Sequence, residues 1–361
     1  MSSSSSVGRL LGVRQPLYAG AAVRGAPPRT RLKFKGEKRG GINLSWTAQN
    51  NPANPENAAR HEDLLICAVD HRASLETDLY QLTAAPTPSQ AARIADGKLL
   101  VYEAVLDALP HFPESTRAGL LIDERYGATA AELALLSGQI DLAMPIEESG
   151  QDWFHFEYGA AWQQHAEYFP AAFSKVLVRD NPGYEESDRK AQAARLARVV
   201  SWGNSAGRSL ILELLVPATE ADLAAVDGSA DRYDKELRGA ATVRVMEYLQ
   251  DRGVEPAIWK VEGLETREDA EAVARTARRG GRNARCIVLG RHAPREKLDH
   301  WLEIAAPVEG FMGFAIGRSI WWEALENYVH GKSTRDETRA SITEAYVDYA
   351  RYYVRVRKAP A

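Results

Sequence analysis

The chain has 361 residues, with 45 Lys and Arg set against 49 Asp and Glu for a formal net charge of -4. That length allows one large domain or two ordinary ones, with enough chain to bury a large core. The near balance of charge excludes a nucleic-acid coat and a polybasic membrane face, and no apolar run approaches the roughly 20 residues that span a bilayer.

Residues 1–61 read differently from the rest. The opening "MSSSSSVGRLLGVRQPLYAGAAVRGAPPRTRLKFKG" has no acidic residue before Glu37 and is rich in Ser, Gly, Pro and Arg. The composition has features of an organellar transit peptide, but the reading adopted is a disordered or low-complexity leader. From residue 62 onward short apolar runs alternate with longer helical patterns. "LLICAVD" (64–70) is followed by the helical "SQAARIADGKLLVYEAVLDAL". "AGLLID" (118–123) precedes the helical "AAELALL", and "IDLAMPI" (140–146) precedes an aromatic stretch that is partly helical around "GAAWQQHAEYF". "FSKVLVRD" (173–180), "SLILELLVP" (209–217), "AIWKVEG" (257–263), "ARCIVLG" (284–290) and "GFMGFAIG" (310–317) follow, each with a helical segment behind it. A last helix runs through "DETRASITEAYVDYARYYVRV".

Eight nearly continuous apolar strands, each followed by helix, predict a single (β/α)8 barrel over residues 62–361, because a parallel sheet must be covered on both faces. A doubly wound open sheet is the alternative, but no Gly-x-Gly-x-x-Gly turn follows the first run. Cys67 and Cys286 lie in separate strands and read as buried reduced thiols of a cytoplasmic protein. The eight histidines show no His-x-x-x-His or His-Glu-x-x-His spacing, so no metal is expected.

A barrel of this kind carries its site at the C-terminal strand ends, and polar residues inside apolar runs mark it. Lys175, Glu213 and Lys260 sit well inside consecutive runs four, five and six. Side chains alternate along a strand. If Leu212 and Leu214 face the helices, Glu213 faces the interior, and the same reasoning turns Lys175 and Lys260 inward. Buried ion clusters are seldom worth more to stability than apolar packing, so this layer points to chemistry. A lysine is nucleophilic only when neutral, which apolar surroundings and a neighbouring cation both favour. Lys260 beside Lys175 has both, and the carboxylate of Glu213 can move protons. The expected chemistry is an imine on Lys260 with no cofactor.

Run ends seven and eight, with Gly290-Arg291 and Gly317-Arg318, place glycine, arginine and a helix start together, as phosphate sites do. Asp70 and Arg72 after run one and Asp123 after run two are read as binding substrate hydroxyls or pairing internally. Glu262, two residues beyond Lys260, joins the expected substrate contacts. The stretch "DWFHFEYGAAWQQHAEYF" (152–169) reads equally as a substrate lid or an oligomer contact.

The stretches "GVEPAIWKVEGLE", "CIVLGRHAPREKLDHWLEIAA" and "GFMGFAIGRSIWWEALENYVHG" resemble, in order and spacing, the aldolase-type domain of bacterial inositol catabolism, classed as DUF2090. "VDHR", "LLIDERYG" and "WKVE" are also similar to class I tagatose-bisphosphate and sulfofructose-phosphate aldolases. The resemblance spans about residues 62–357 and is most specific in the C-terminal third. It implies a class I aldolase with Lys260 as Schiff-base lysine, Glu213 as proton shuttle, Lys175 near the substrate carbonyl, and Gly317-Arg318 on phosphate. The substrate it suggests is 2-deoxy-5-keto-gluconate 6-phosphate, cleaved to dihydroxyacetone phosphate and malonate semialdehyde. Tagatose-bisphosphate or sulfofructose-phosphate cleavage is the alternative, and a non-catalytic phosphosugar-binding barrel the rival of another class. Arg291-His292 replaces the Leu-Asp common in the inositol type, which leaves the far end of the substrate open. The expected partner is a small phosphosugar, with no nucleic acid or membrane and with a homo-oligomer left open.

Overall fold

The structure, a computed structural model, describes residues 63–358. The expected leader lies outside the described residues. Eight parallel strands close in sequence order, β1 to β8, with β8 pairing back onto β1. They are β1 (Asp63–Ala68), β2 (Thr116–Leu121), β3 (Asp141–Pro145), β4 (Phe173–Arg179), β5 (Ser209–Leu215), β6 (Ile258–Val261), β7 (Arg285–Leu289) and β8 (Phe311–Ile316). All eight runs are strands, and the described residues form the (β/α)8 barrel that their alternation predicts.

The surrounding helices start and stop on local chemistry. Helix α1 (Pro88–Ala108) opens with proline in its first turn and a reciprocal cap between Thr87 and Gln90. Helix α2 (Glu124–Ser137) is capped by Asp123 and ends on Gly138 in the left-handed region. Helices α3 (Trp162–Tyr168) and α4 (Glu186–Ala206) follow β3 and β4. The segment after β5 is three helices, α5 (Glu220–Ala225), α6 (Ala230–Glu236) and α7 (Arg238–Gln250), where the sequence pattern suggests one. Helices α8 (Arg267–Ala277), α9 (Arg295–Ala305) and α10 (Arg318–Val329) follow β6, β7 and β8, and α11 (Arg335–Arg357) completes the outer layer.

Strand alternation divides the core in two. Leu212, Leu214, Trp259, Val261 and Val176 pack outward with the helices. Phe173, Ile211, Ile258 and Ile287 fill the barrel interior with Leu64, Ile66 and Met312. Lys175, Glu213 and Lys260 lie two residues beyond Phe173, Ile211 and Ile258. They therefore share that inward face, one layer nearer the C-terminal rim.

Closure depends on a register irregularity. Between Cys286 and Val288 of β7, β8 advances from Phe311 to Phe314, so β8 carries an extra residue. Gly313 in this stretch has φ 146° and pairs with Leu64 of β1. A Cβ there would lie 1.8 Å from the Leu64 carbonyl oxygen. Gly313→Ala is expected to destabilise the barrel by roughly 2–3 kcal/mol, measured as a lower denaturation midpoint in urea. A midpoint like that of the parent would refute the role given to this glycine.

Candidate active site

The polar layer surrounds a cavity of about 340 Å³ at the C-terminal rim. Lys175 is 2% exposed and Lys260 4%. Lys260 Nζ lies 2.9 Å from Glu213 Oε1, and Lys175 Nζ lies 2.8 Å from Glu213 Oε2, so one carboxylate bridges two lysines. Adjacent strands explain the meeting, since Glu213 and Lys260 are direct partners across β5 and β6. Lys175 Nζ also donates to Asp70 Oδ2 at 2.9 Å and to Glu147 Oε1 at 2.7 Å.

Burial pushes the Lys175 pKa down, but Asp70, Glu147 and Glu213 together hold it well above the ordinary lysine value. The carboxylates divide. Burial raises all three, but the two lysines more than offset it at Asp70 and Glu213, whose pKa values are lowered. At Glu147 burial wins over Lys175 and Arg72, and the pKa is raised.

Glu147, which follows Ile146 at the exit of β3, is a cavity residue absent from the sequence-based set. His71 is another. Its ring lies edge-on to Trp321 at 5.5 Å, and its Nδ1 is buried without a hydrogen-bond partner. Burial, reinforced by Arg318, Lys98 and Lys260 against the pull of Asp70, lowers its pKa to about 3, so the imidazole is neutral at ordinary pH.

The expected residues Asp70, Arg72, Lys175, Glu213, Lys260, Gly290, Arg291, Gly317 and Arg318 all line this cavity. Asp123 and Glu262 do not line it, and of its two expected roles Asp123 takes the internal pairing. Asp123 is fully buried; its Oδ2 accepts from Tyr126 N at 2.9 Å as the cap of α2, and its Oδ1 pairs with Lys98. A strand-end acid preceding a helix serves the helix first. Glu262 turns toward the β5 exit, where it accepts from Val216 N at 2.8 Å and meets Arg291 at 3.2 Å and Arg238 at 3.6 Å.

The four residues expected to bind an anion are not equivalent. Arg291, in the left-handed region at φ 52°, is engaged by Asp234 at 2.9 Å as well as by Glu262. The side chain of Arg318, the first residue of α10, makes no ion pair or hydrogen bond among the described residues, and Asp78 and Glu213 act on it through space. Gly317 before it packs against β1, where a Cβ would sit 2.4 Å from the Ala68 carbonyl oxygen. The aromatic stretch forms a flap beside the cavity. An antiparallel bridge joins Glu147 to Phe156, and Glu148 N donates to His155 O at 2.9 Å. Arg72 holds the base of the flap, donating to the Glu147 carbonyl at 3.0 Å and pairing with Glu157 at 3.4 Å. Arg179 holds the tip, donating to Gln151 O at 2.6 Å. Among the described residues no group of three or more His, Cys, Asp or Glu is arranged to hold a metal ion, and no helix is long and apolar enough to cross a membrane.

Residues 53–357 match the model of a protein family described as an uncharacterized protein conserved in bacteria, DUF2090. No curated protein matches the chain. Solved structures with a similar fold include a fructose-bisphosphate aldolase from Plasmodium falciparum, seen in a complex with TRAP and a small-molecule inhibitor. It is 12% identical, with a TM-score of 0.61 over 87% of this chain and 96% of that one. The protein Cgl0159 from Corynebacterium glutamicum is 15% identical, with a TM-score of 0.52 over 82% of this chain and 90% of that one. At such identities the likeness is one of fold.

Proposed function

We propose that this chain, which belongs to the DUF2090 family, is a class I aldolase that cleaves a phosphorylated keto-sugar or keto-sugar acid. The observation that carries the reading is the Lys260–Glu213–Lys175 chain of contacts at 2.9 and 2.8 Å on the cavity wall. Glu213 is positioned to take the proton that the Lys260 ammonium must lose before its amine attacks a ketone. The carbinolamine then loses water to give a protonated imine, the electron sink for breaking the adjacent carbon–carbon bond. Lys175 stays charged and can stabilise the oxygen that leaves or forms. The Plasmodium falciparum barrel, itself a fructose-bisphosphate aldolase, supports the same class.

The substrate proposed is 2-deoxy-5-keto-gluconate 6-phosphate, giving dihydroxyacetone phosphate and malonate semialdehyde. Arg318, whose side chain makes no ion pair among the described residues, is the group assigned to the phosphate. A panel of this compound, tagatose bisphosphate and sulfofructose phosphate, assayed for release of a triose phosphate, tests the reading. Binding without release by every member would favour a phosphosugar-binding barrel instead. Arg318→Ala removes a charge-assisted donor worth about 2 kcal/mol, so KM for the phosphorylated substrate is expected to rise roughly 30-fold. Unchanged steady-state kinetics would move the phosphate away from α10.

A further inference from the structure

Of the three carboxylates that contact Lys175, Glu147 after β3 and Glu213 on β5 flank it on either side of β4, and they are used differently. Glu213 commits both oxygens, one to each lysine. Glu147 commits only Oε1, at 2.7 Å from Lys175 Nζ, while its Oε2 is buried without a hydrogen-bond partner. An oxygen with no donor is free to accept a proton, and accepting one relieves the cost of leaving it bare. The groups facing Glu147 are Lys175 from β4 and Arg72 and Asp70 from the end of β1, and Arg72 is shared with Glu157 of the flap. Their sum does not overcome burial, and the Glu147 pKa stays raised while that of Glu213 is lowered. Carboxylates whose environments separate their proton affinities commonly divide acid and base duties.

The contacts also link the site in a chain. Lys260 meets Glu213, Glu213 meets Lys175, and Lys175 meets Glu147. A substrate held as an imine on Lys260 carries the hydroxyl that must lose its proton on the carbon β to the imine, two bonds from the imine carbon, and Glu147 lines the same cavity as Lys260.

We propose that Glu147 is the base for carbon–carbon cleavage, leaving Glu213 to the imine chemistry at Lys260. The assignment rests on the aldolase reading. The β-hydroxyl proton passes to Glu147, and the O–H bonding pair becomes the C=O of the released aldehyde. The bond between the α and β carbons breaks, and its electron pair moves through the C=N bond to nitrogen, giving an enamine. The same proton returns from Glu147 to the α carbon and restores the imine, which water hydrolyses to the ketone and free Lys260. Glu147 ends as it began.

The test separates imine formation from cleavage. Wild-type enzyme, Glu147→Gln and Glu147→Asp are each treated with the phosphosugar and borohydride, and kcat is followed against pH. Glu147→Gln is expected to trap on Lys260 within about threefold of wild type yet turn over roughly 100-fold slower. The acid limb of its kcat profile, present in wild type because the base must be ionised, should disappear, and Glu147→Asp should retain it. Equal loss of trapping and turnover in the Gln variant would reduce Glu147 to a support for Lys175, and an unchanged kcat would remove it from the mechanism. If wild-type enzyme releases aldehyde without any trapped adduct, the imine reading itself falls, and the base assignment with it.

Discussion

Lys260→Met should fold normally and lose turnover altogether, on the order of 10⁴–10⁶-fold, as removing a covalent nucleophile does. Methionine fills a similar volume on the inward face of β6, above Ile258. Glu213 keeps its second cation, Lys175, at 2.8 Å, so the substitution leaves no isolated buried charge. Folding and function therefore separate at this position. Borohydride reduction in the presence of substrate should add mass to the wild-type peptide containing "AIWKVEGLE" and nothing to the same peptide of the variant. Substantial residual turnover in Lys260→Met would sink the imine mechanism.

Lys175→Met should behave in the opposite way, losing stability as well as activity. Three carboxylates, Asp70, Glu147 and Glu213, share this one ammonium within 2.9 Å. Breaking a buried pair by removing one partner costs about 3–5 kcal/mol. The loss depends on pH in a definite direction. Asp70 and Glu213 have lowered pKa values in the folded protein, so their stabilisation is present above the ordinary carboxylate range and is lost as pH falls through their folded values. In the variant Asp70 loses the cation that opposes its burial most, and desolvation raises it instead. Its penalty then grows as pH rises through the new value. The stability gap between wild type and variant should be widest near pH 7 and narrow toward pH 4, as read from urea midpoints across that range. A gap constant with pH would mean that Asp70 and Glu213 are not charged around Lys175.

The parts legible in the sequence share one property: a charge stood out against an apolar background of period two. Lys175, Glu213 and Lys260 interrupt strands whose neighbours are Val, Leu, Ile and Trp, and alternation then fixed the side they face. Glu147 had no such background. It follows the last apolar residue of its run and precedes Glu148, so the pair reads as solvated loop, and only the flap folding back through Phe156 encloses it. Asp123 stayed between two readings for a different reason. An acid at a strand end and an acid capping the next helix look alike in sequence, and the partner that decides between them, Lys98, is 25 positions away. Arg291 and Arg318 likewise follow similar Gly-Arg steps, yet only the fold supplies Asp234 and Glu262 beside the first.

Lys98 itself has a wider consequence. Its ammonium, fully buried on α1, donates to the carbonyls of Val69 at 2.7 Å and His71 at 2.8 Å, on either side of Asp70, and pairs with the acid that caps α2. The exit of the first strand and the two helices that follow it thus share a single cation. They cannot open one at a time without leaving Asp123 charged and alone in a dry interior. Amide hydrogens at the start of α2, a helix terminus that would ordinarily fray, should exchange with deuterium as slowly as those of the barrel strands, so that this corner of the active site unfolds only when the whole barrel does.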